Sequence, residues 1–198
     1  MMEKITDTRE EIMGPVYLRN LPPPDETFHH PSFLFAMAMW IKPVNYLELG
    51  VRYGDTFFRI ADQAKMCIGV DTDFSVLKWA VKPNMKLFKT TTDKFFENLD
   101  ENFLFDMVFI DAQHSHEQTL KDFLNVKDHV IEDGFIFLHD TYPYTMDITT
   151  PDKCGNCYKT AQYIKTNLID QFEIVTLPFN PGLSIIKKIS RDKQMIYL

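Results

Sequence analysis

Two glycines and a trail of acidic side chains are the residues here that could do chemistry. In Glu48-Leu49-Gly50-Val51-Arg52-Tyr53-Gly54, Gly50 lets the backbone turn sharply and approach a ligand, and Gly54 lets a following helix pack closely. Asp71 lies downstream at about the 20-residue interval at which a carboxylate accepts hydrogen bonds from ribose hydroxyls. A G-x-G-x-x-G fingerprint needs its second glycine where this chain has Arg52, so the loop does not suit a pyrophosphate. A nucleoside without phosphates needs no such approach. Glu48 suits a cationic group, such as a sulfonium with an α-amine. Two glycines alone read equally as turn punctuation; the acids and their order favour a ligand.

Asp111 and Asp140 each close an apolar run, FDMVFID and FIFLHD. If those runs are neighbouring strands, both carboxylates sit at the sheet edge that holds the glycine loop. His114 and His116 stand near the same mouth, and an imidazole with a pKa near ~6.5 can take a hydroxyl proton at neutral pH. Either histidine reads equally well as a satisfied loop residue. His29-His30 could cover a cofactor or form a solvated pair. Cys154-x-x-Cys157 is half of a zinc site, with Cys67 alone elsewhere. Tyr142 and Tyr144, just past FIFLHD, are candidates for an acceptor pocket.

These residues need a scaffold. Residues 1–27 read as an extension, with Pro22-Pro23-Pro24 favouring an extended segment. His29–Trp40 suits a buried helix that stops near Lys42-Pro43. Strands are expected at 45–50, 66–71, 85–90, 105–111 and 135–140. Helices are expected at 55–65, 74–81, 94–98, 117–130 and 158–168, with a turn at Glu132-Asp133-Gly134. Two further strands, 172–179 and 183–189, flank the turn Asn180-Pro181-Gly182. Strand and helix alternate five times before that hairpin. The pattern predicts an α/β protein: a parallel sheet with helices on both faces and an antiparallel edge near the C-terminus.

The chain has 198 residues, 45% hydrophobic and 25% charged, with 7 Gly, 11 Pro and 3 Cys. That fits one compact domain with its own core and argues against disorder. The longest apolar run, Phe33–Ile41, is about half of the ~20 residues a membrane span needs. The N-terminus mixes acids and bases and does not read as a secretory signal. Three cysteines fit a reducing cytosol, so a cytoplasmic protein is expected. A net charge of −7 argues against nucleic acid as a partner.

ELGVRYG followed by GVD resembles the cofactor motifs of class I S-adenosylmethionine-dependent methyltransferases. FDMVFIDAQHSHEQTLKDF is similar to the I-D-G-D-H-S-Y-E…D pattern of one branch, which includes O-methyltransferases that tailor macrolides and sugars. GFIFLHDTYP and CGNCYK…VTLPFNPGLSIIKK resemble the same branch, so the likeness spans roughly residues 44–189. It implies a Rossmann-like, seven-stranded, mostly parallel sheet with strand 7 antiparallel. Residues 1–43 would form an extension and cover helix, and 44–198 the cofactor domain.

By this resemblance Glu48, Gly50 and Gly54 line the methionine part of S-adenosylmethionine and Asp71 holds the ribose. Arg52, Thr72 and Asp111 are counted with the cofactor site. Thr91 and Thr92 fall where the family often has an acid near adenine; here the nearest acid is Asp93. Several members bind a divalent cation through such carboxylates, making Asp111 and Asp140 the candidate metal ligands and Mg2+ the candidate ion. Two departures stand out. His139 replaces an acid that some members have before the strand-5 aspartate. Gln113 replaces the acid that is a candidate base in metal-dependent members, leaving Asp111, His114 and His116 as the catalytic candidates.

The expected activity is methyl transfer to a small-molecule oxygen. The alternative is a protein that binds S-adenosylmethionine or S-adenosylhomocysteine without transferring; a nicotinamide oxidoreductase is disfavoured by Arg52. The chain is too short for a separate acceptor domain. Acceptor choice is expected in the first ~45 residues, in the loops after strands 4 and 5, or in a partner chain such as a second copy.

Overall fold

Strands that are apolar along most of their length must be covered on both faces, and that requirement organises this chain. A computed structural model describes residues 30–179 and 181–190. The expected extension over residues 1–27, His29, and Asn180 of the hairpin turn lie outside the described residues. The first half runs α1 (His30–Ile41), β1 (Asn45–Leu49), α2 (Phe57–Ile60), β2 (Met66–Asp71), β3 (Met85–Lys89) and α3 (Thr92–Glu97). The second runs β4 (Phe105–Ile110), α4 (His116–Asp128), β5 (Val130–His139), a 3-10 turn (Met146–Ile148), α5 (Tyr158–Asn167), β6 (Phe172–Leu177) and β7 (Leu183–Lys188).

The seven strands form one sheet in the order β3-β2-β1-β4-β5-β7-β6. The pairs β1–β2, β1–β4, β2–β3 and β4–β5 are parallel. β7 runs antiparallel to both β5 and β6. This is the Rossmann-like, seven-stranded sheet expected from the sequence, with the hairpin at its edge. Strand order reverses between β1 and β4, and the crevice outside their carboxyl ends is where such sheets bind ligands.

Side chains alternate across the sheet with a period of two. Leu47, Leu49, Val70, Val108 and Ile110 pack on one face against Phe123 and Val126 of α4 and Ile164 of α5. Tyr46, Cys67, Met107 and Phe109 face the other, under Leu34 and Ala38 of α1 and Phe57 and Ile60 of α2. Glu48 shares the Tyr46 side. α1 buries Pro31, Leu34 and Ala38 and ends where Lys42, at φ 51°, closes the last turn onto the Ala38 carbonyl. No helix among the described residues is long and apolar enough to cross a membrane.

Three expectations change. Residues 74–81 are not a helix. Asp73 takes both the Ser75 amide (3.1 Å) and its hydroxyl (2.6 Å), and the Lys78 amide points to the Tyr53 carbonyl at 3.4 Å. Those bonds to a local carboxylate and a distant carbonyl displace the helical ladder. The helix expected over 55–65 contracts to Phe57–Ile60, continued by turns. The turn at Glu132-Asp133-Gly134 lies inside β5, as a register shift against β4 between Phe105↔Val130 and Met107↔Phe135, with Asp133 at φ 62°.

Candidate active site

At the carboxyl end of β1 the chain makes a turn that only glycine fits. Gly50 has φ +86°, and a Cβ there would lie 2.1 Å from the Asp111 carbonyl oxygen. The ends of β1 and β4 are therefore pressed together, with the Asp111 amide donating to the Leu49 carbonyl at 2.8 Å. The loop then doubles back through Arg52, itself at φ 47°. The Arg52 amide donates to Asp71 Oδ2 at 2.8 Å, and the Asp73 amide to Asp71 Oδ1 at 3.0 Å. Each Asp71 oxygen keeps a further lone pair. Gly54, at φ +83°, packs so closely on Phe58 of α2 that a Cβ would lie 2.5 Å from its ring.

Two cavities meet over this turn. The smaller, about 300 Å³, is lined by Thr72, Thr91, Thr92, Asp93 and Gln113, among others. The larger, about 690 Å³, is lined by Glu48, Arg52, Asp111, His114, His139 and Asp140, among others. Gly50, Asp71 and Ala112 belong to both, so the two form one groove across the ends of β1, β2, β4 and β5. In the smaller part, Thr91 caps α3 by accepting from the Lys94 amide. Gln118 donates to Thr92 Oγ1 at 3.1 Å and to Asp93 Oδ1 at 3.2 Å, and Asp93 pairs with Lys121 at 2.6 Å. Gln113 lies on this side, its amide reaching Ser115 Oγ at 3.3 Å.

The larger part gathers the charge. Glu48 is buried, and the Tyr46 hydroxyl donates to its Oε2 at 2.5 Å. Burial raises the Glu48 pKa well above its ordinary value; the Tyr46 hydrogen bond opposes this, and the charges of Asp111 and Asp71 add to it. His139 Nδ1 lies 3.0 Å from Asp111 Oδ1 and 3.4 Å from Asp140 Oδ1. His114 Nε2 lies 3.3 Å from Asp140 Oδ2 and 3.7 Å from Asp111 Oδ1. Burial works against a charged His139, but the two carboxylates outweigh it and raise its pKa to about 9. Burial would also raise Asp111, yet the His139 charge and hydrogen bonds from His114 and His139 hold it below the ordinary carboxylate range. Asp140 is raised, by burial and by the Asp111 charge, against the pull of His139.

Asp140 leaves β5 at φ 58°. In an extended strand, consecutive side chains point to opposite faces. The left-handed turn is what brings His139 and Asp140 to the same cavity. His114 is held from behind, its Nδ1 bonded to the Lys153 carbonyl and its own carbonyl accepting from the Asn156 amide at 3.2 Å. A Cβ at Gly155 would collide with that His114 carbonyl. The contact ties the loop before α5 to the mouth of the groove. His114 is raised above its ordinary pKa by its hydrogen bond to Asp111, against burial, with both carboxylate charges adding.

Glu48, Asp71, Asp111, His114 and Asp140, expected together from the sequence, line one cavity. His116 lines neither part of the groove; its Nδ1 is 2.9 Å from Thr160 Oγ1 of α5 and its amide donates to Asn156. Tyr142 is buried and lines neither part. Cys154 and Cys157 are free and buried, as is Cys67. Burial first of all pushes all three thiols up to about 12, and the Cys157 sulfur lies 3.3 Å from Thr119 Oγ1. His139 and His30 enter the site more deeply than expected. Their rings lie 4.2 Å apart, with His30 also 5.7 Å from the Phe109 ring. The histidine-aspartate pair at a strand end was the available clue to His139.

One ligand atom from each of Asp111, His139 and Asp140 lies within 4.8 Å of the others, an arrangement that fits a divalent cation. The remaining groove, with an acid at each end of a glycine turn, fits a nucleoside joined to a cationic group.

No curated protein matches the chain. Residues 47–141 match a family model described as a methyltransferase domain. The fold is similar to that of the SAH-bound methyltransferase PaMTH1 of Podospora anserina, at 16% identity over 81% of this chain and 78% of that one, with TM-score 0.66. An O-methyltransferase from Bacillus cereus, in complex with SAH, aligns at 15% identity over 91% and 90% of the two chains, with TM-score 0.64. TomG, an O-methyltransferase from Streptomyces achromogenes involved in tomaymycin synthesis and in complex with SAM, aligns at 14% identity over 93% and 87%, with TM-score 0.65. Residues 47–141 are thus similar to a methyltransferase domain, on a fold like that of proteins crystallised with SAH or SAM.

Proposed function

We propose that the protein transfers a methyl group from S-adenosylmethionine to an oxygen of a small-molecule acceptor. The observation that carries this is the single groove in which Gly50, the Asp71 carboxylate and buried Glu48 lead into the cluster of Asp111, His114 and Asp140. The free lone pairs of Asp71 take the ribose hydroxyls. Thr72, Thr91 and Thr92 border the base, and Arg52 and Gly54 shape the loop that closes over the amino-acid part. Glu48 faces the cationic end. S-adenosylmethionine and S-adenosylhomocysteine crystallised with the similar structures support the choice of cofactor.

The reaction is an in-line displacement: the acceptor oxygen forms a bond to the methyl carbon as the carbon–sulfur bond breaks. The positive charge of the sulfonium and the negative charge developing on the oxygen cancel, so the chain's task is alignment and removal of one proton. We assign that proton to His114. With Nδ1 donating to the Lys153 carbonyl, Nε2 is the nitrogen on the cavity side, and it takes the acceptor's proton once His114 has given up, above its raised pKa, the proton it shares with Asp111 and Asp140. Gln113 lies on the cofactor side and, being an amide, takes no proton. His116 is assigned to joining α4 to α5. A divalent cation between Asp111 and Asp140, Mg2+ if only those oxygens act, would orient the acceptor and lower its hydroxyl pKa. α1 is assigned as the cover of the groove, and three free cysteines suit a reducing cytoplasm.

Calorimetry with S-adenosylhomocysteine and NAD in parallel tests the cofactor. Homocysteine-nucleoside binding is expected, with Asp71→Ala weakening it about 10- to 100-fold, the worth of hydrogen bonds to a charged group. Absence of that binding overturns the reading. Formation of S-adenosylhomocysteine with a panel of diols, sugars and phenols then tests transfer. Binding with no turnover on any of them would favour the non-transferring alternative.

A further inference from the structure

Mg2+ demands oxygen ligands in near-ideal octahedral geometry, whereas imidazole nitrogen suits first-row transition ions. The carboxylates expected to hold a cation here are not alone. His139 Nδ1 stands between them, 3.0 Å from Asp111 Oδ1 and 3.4 Å from Asp140 Oδ1. Two ligand atoms each about 2.1 Å from one ion are separated by about 3.0 Å at a right angle and about 3.4 Å at a tetrahedral angle. Both contacts fall at those separations. The His139 ring is also fixed from outside: it sits 4.2 Å from the His30 ring and edge-on to Phe109 at 6.1 Å. Its side chain is only 13% exposed, and the left-handed turn at Asp140 brings both side chains to one cavity. Larger parts of the groove stay open beside them, leaving room for water or an acceptor oxygen to complete the coordination.

We infer that Asp111, His139 and Asp140 form a mixed nitrogen–oxygen centre that selects a first-row transition ion, such as Mn2+, Co2+ or Zn2+, over Mg2+. The inference rests on the divalent-cation part of the proposed function and corrects the ion that the carboxylates alone suggest. His139 is the residue that sets the preference. His114 Nε2 approaches the same carboxylates at other distances, 3.3 Å from Asp140 Oδ2 and 3.7 Å from Asp111 Oδ1, and stays with the acceptor.

The test uses the full chain, stripped by a chelator and titrated separately with Mg2+, Mn2+, Co2+ and Zn2+ by calorimetry. Pulsed electron paramagnetic resonance of the Mn2+-loaded protein reads nitrogen coordination directly. Expected are a Co2+ affinity at least about 100-fold above that for Mg2+ and a 14N coupling on Mn2+. His139→Asp converts the set to oxygens alone. It is expected to lose the 14N coupling and to shrink the Co2+-to-Mg2+ affinity ratio at least about tenfold. S-adenosylhomocysteine affinity and far-ultraviolet circular dichroism report whether each variant is folded; should His139→Asp not fold, the 14N coupling of the wild type decides. Ion binding with no 14N coupling, or a ratio unchanged in folded His139→Asp, overturns the inference and leaves the cation reading in place. Failure of every ion to bind overturns both, with S-adenosylhomocysteine binding still reporting on the cofactor reading alone. That last result would make His139 a proton donor to Asp111 and nothing more.

Discussion

At the scale of single residues, Glu48 is the most exposed to test. Its raised pKa comes first from burial, so the cofactor-free protein holds a proton there that the unfolded chain releases at an ordinary carboxylate value. The sign follows from linkage: this contribution to stability is complete below the ordinary Glu range and is lost as pH rises through the raised folded value. A bound cation favours the carboxylate and expels the proton. S-adenosylhomocysteine affinity is therefore expected to rise with pH up to the Glu48 value and then level off. Calorimetry in buffers of different ionisation enthalpy should register the released proton. Glu48→Gln is expected to flatten that profile and weaken binding about 10- to 100-fold; an unchanged slope would remove Glu48 from the cofactor contact.

At the scale of elements, two glycines offer separate tests of the proposed cofactor binding and the proposed catalysis. Gly50 joins β1 to the end of β4, and a Cβ would meet the Asp111 carbonyl at 2.1 Å in a left-handed backbone. Gly50→Ala is expected to cost more than about 1 kcal/mol of stability and to abolish S-adenosylhomocysteine binding. Gly155 instead supports the loop before α5 against His114. Gly155→Ala should displace His114, and misplacement of a reacting group by about 1 Å can cost about 10²-fold in rate. Cofactor affinity, measured by calorimetry, is expected to stay within about threefold, since Gly155 lines neither part of the groove. Equal losses in both quantities would mean that the loop holds the whole sheet edge.

For the molecule as a whole, α1 belongs to the core and also borders the groove through His30 and Pro31. Leu34 and Ala38 are fully buried under the sheet, while His30 of the same helix reaches the cluster. Leu34→Ala is expected to destabilise the protein by about 2–5 kcal/mol in urea unfolding, through lost burial and the cavity left behind. Ligand binding should restore part of it. S-adenosylhomocysteine at 100 times its Kd adds about 2.7 kcal/mol, roughly 5–10 °C in Tm for a chain of this size. A Leu34→Ala protein with wild-type stability would show α1 to be loosely docked. The −7 net charge has a local face as well: Glu48, Asp71, Asp111 and Asp140 line one cavity.

The sequence by itself determined the strand–helix alternation, the glycine turn after β1 and the acids that end β2, β4 and β5. Those features are local: apolar runs of strand length, turn residues and the chain order of strand ends are all written in neighbouring positions. It did not determine 74–81, where Asp73 and the Tyr53 carbonyl take the backbone donors a helix would use. Nor did it show that Gln113 lines the smaller part of the groove while His116 turns to Thr160, because both depend on how α4 enters from its Ser115 cap. His139 was visible only as a departure from an acidic pattern. Its place between Asp111 and Asp140 depends on the left-handed turn at Asp140 and on His30 arriving from another element. A side chain's type can be read from one position, but its partners come from segments far apart in the chain, and only the folded sheet edge brings them together.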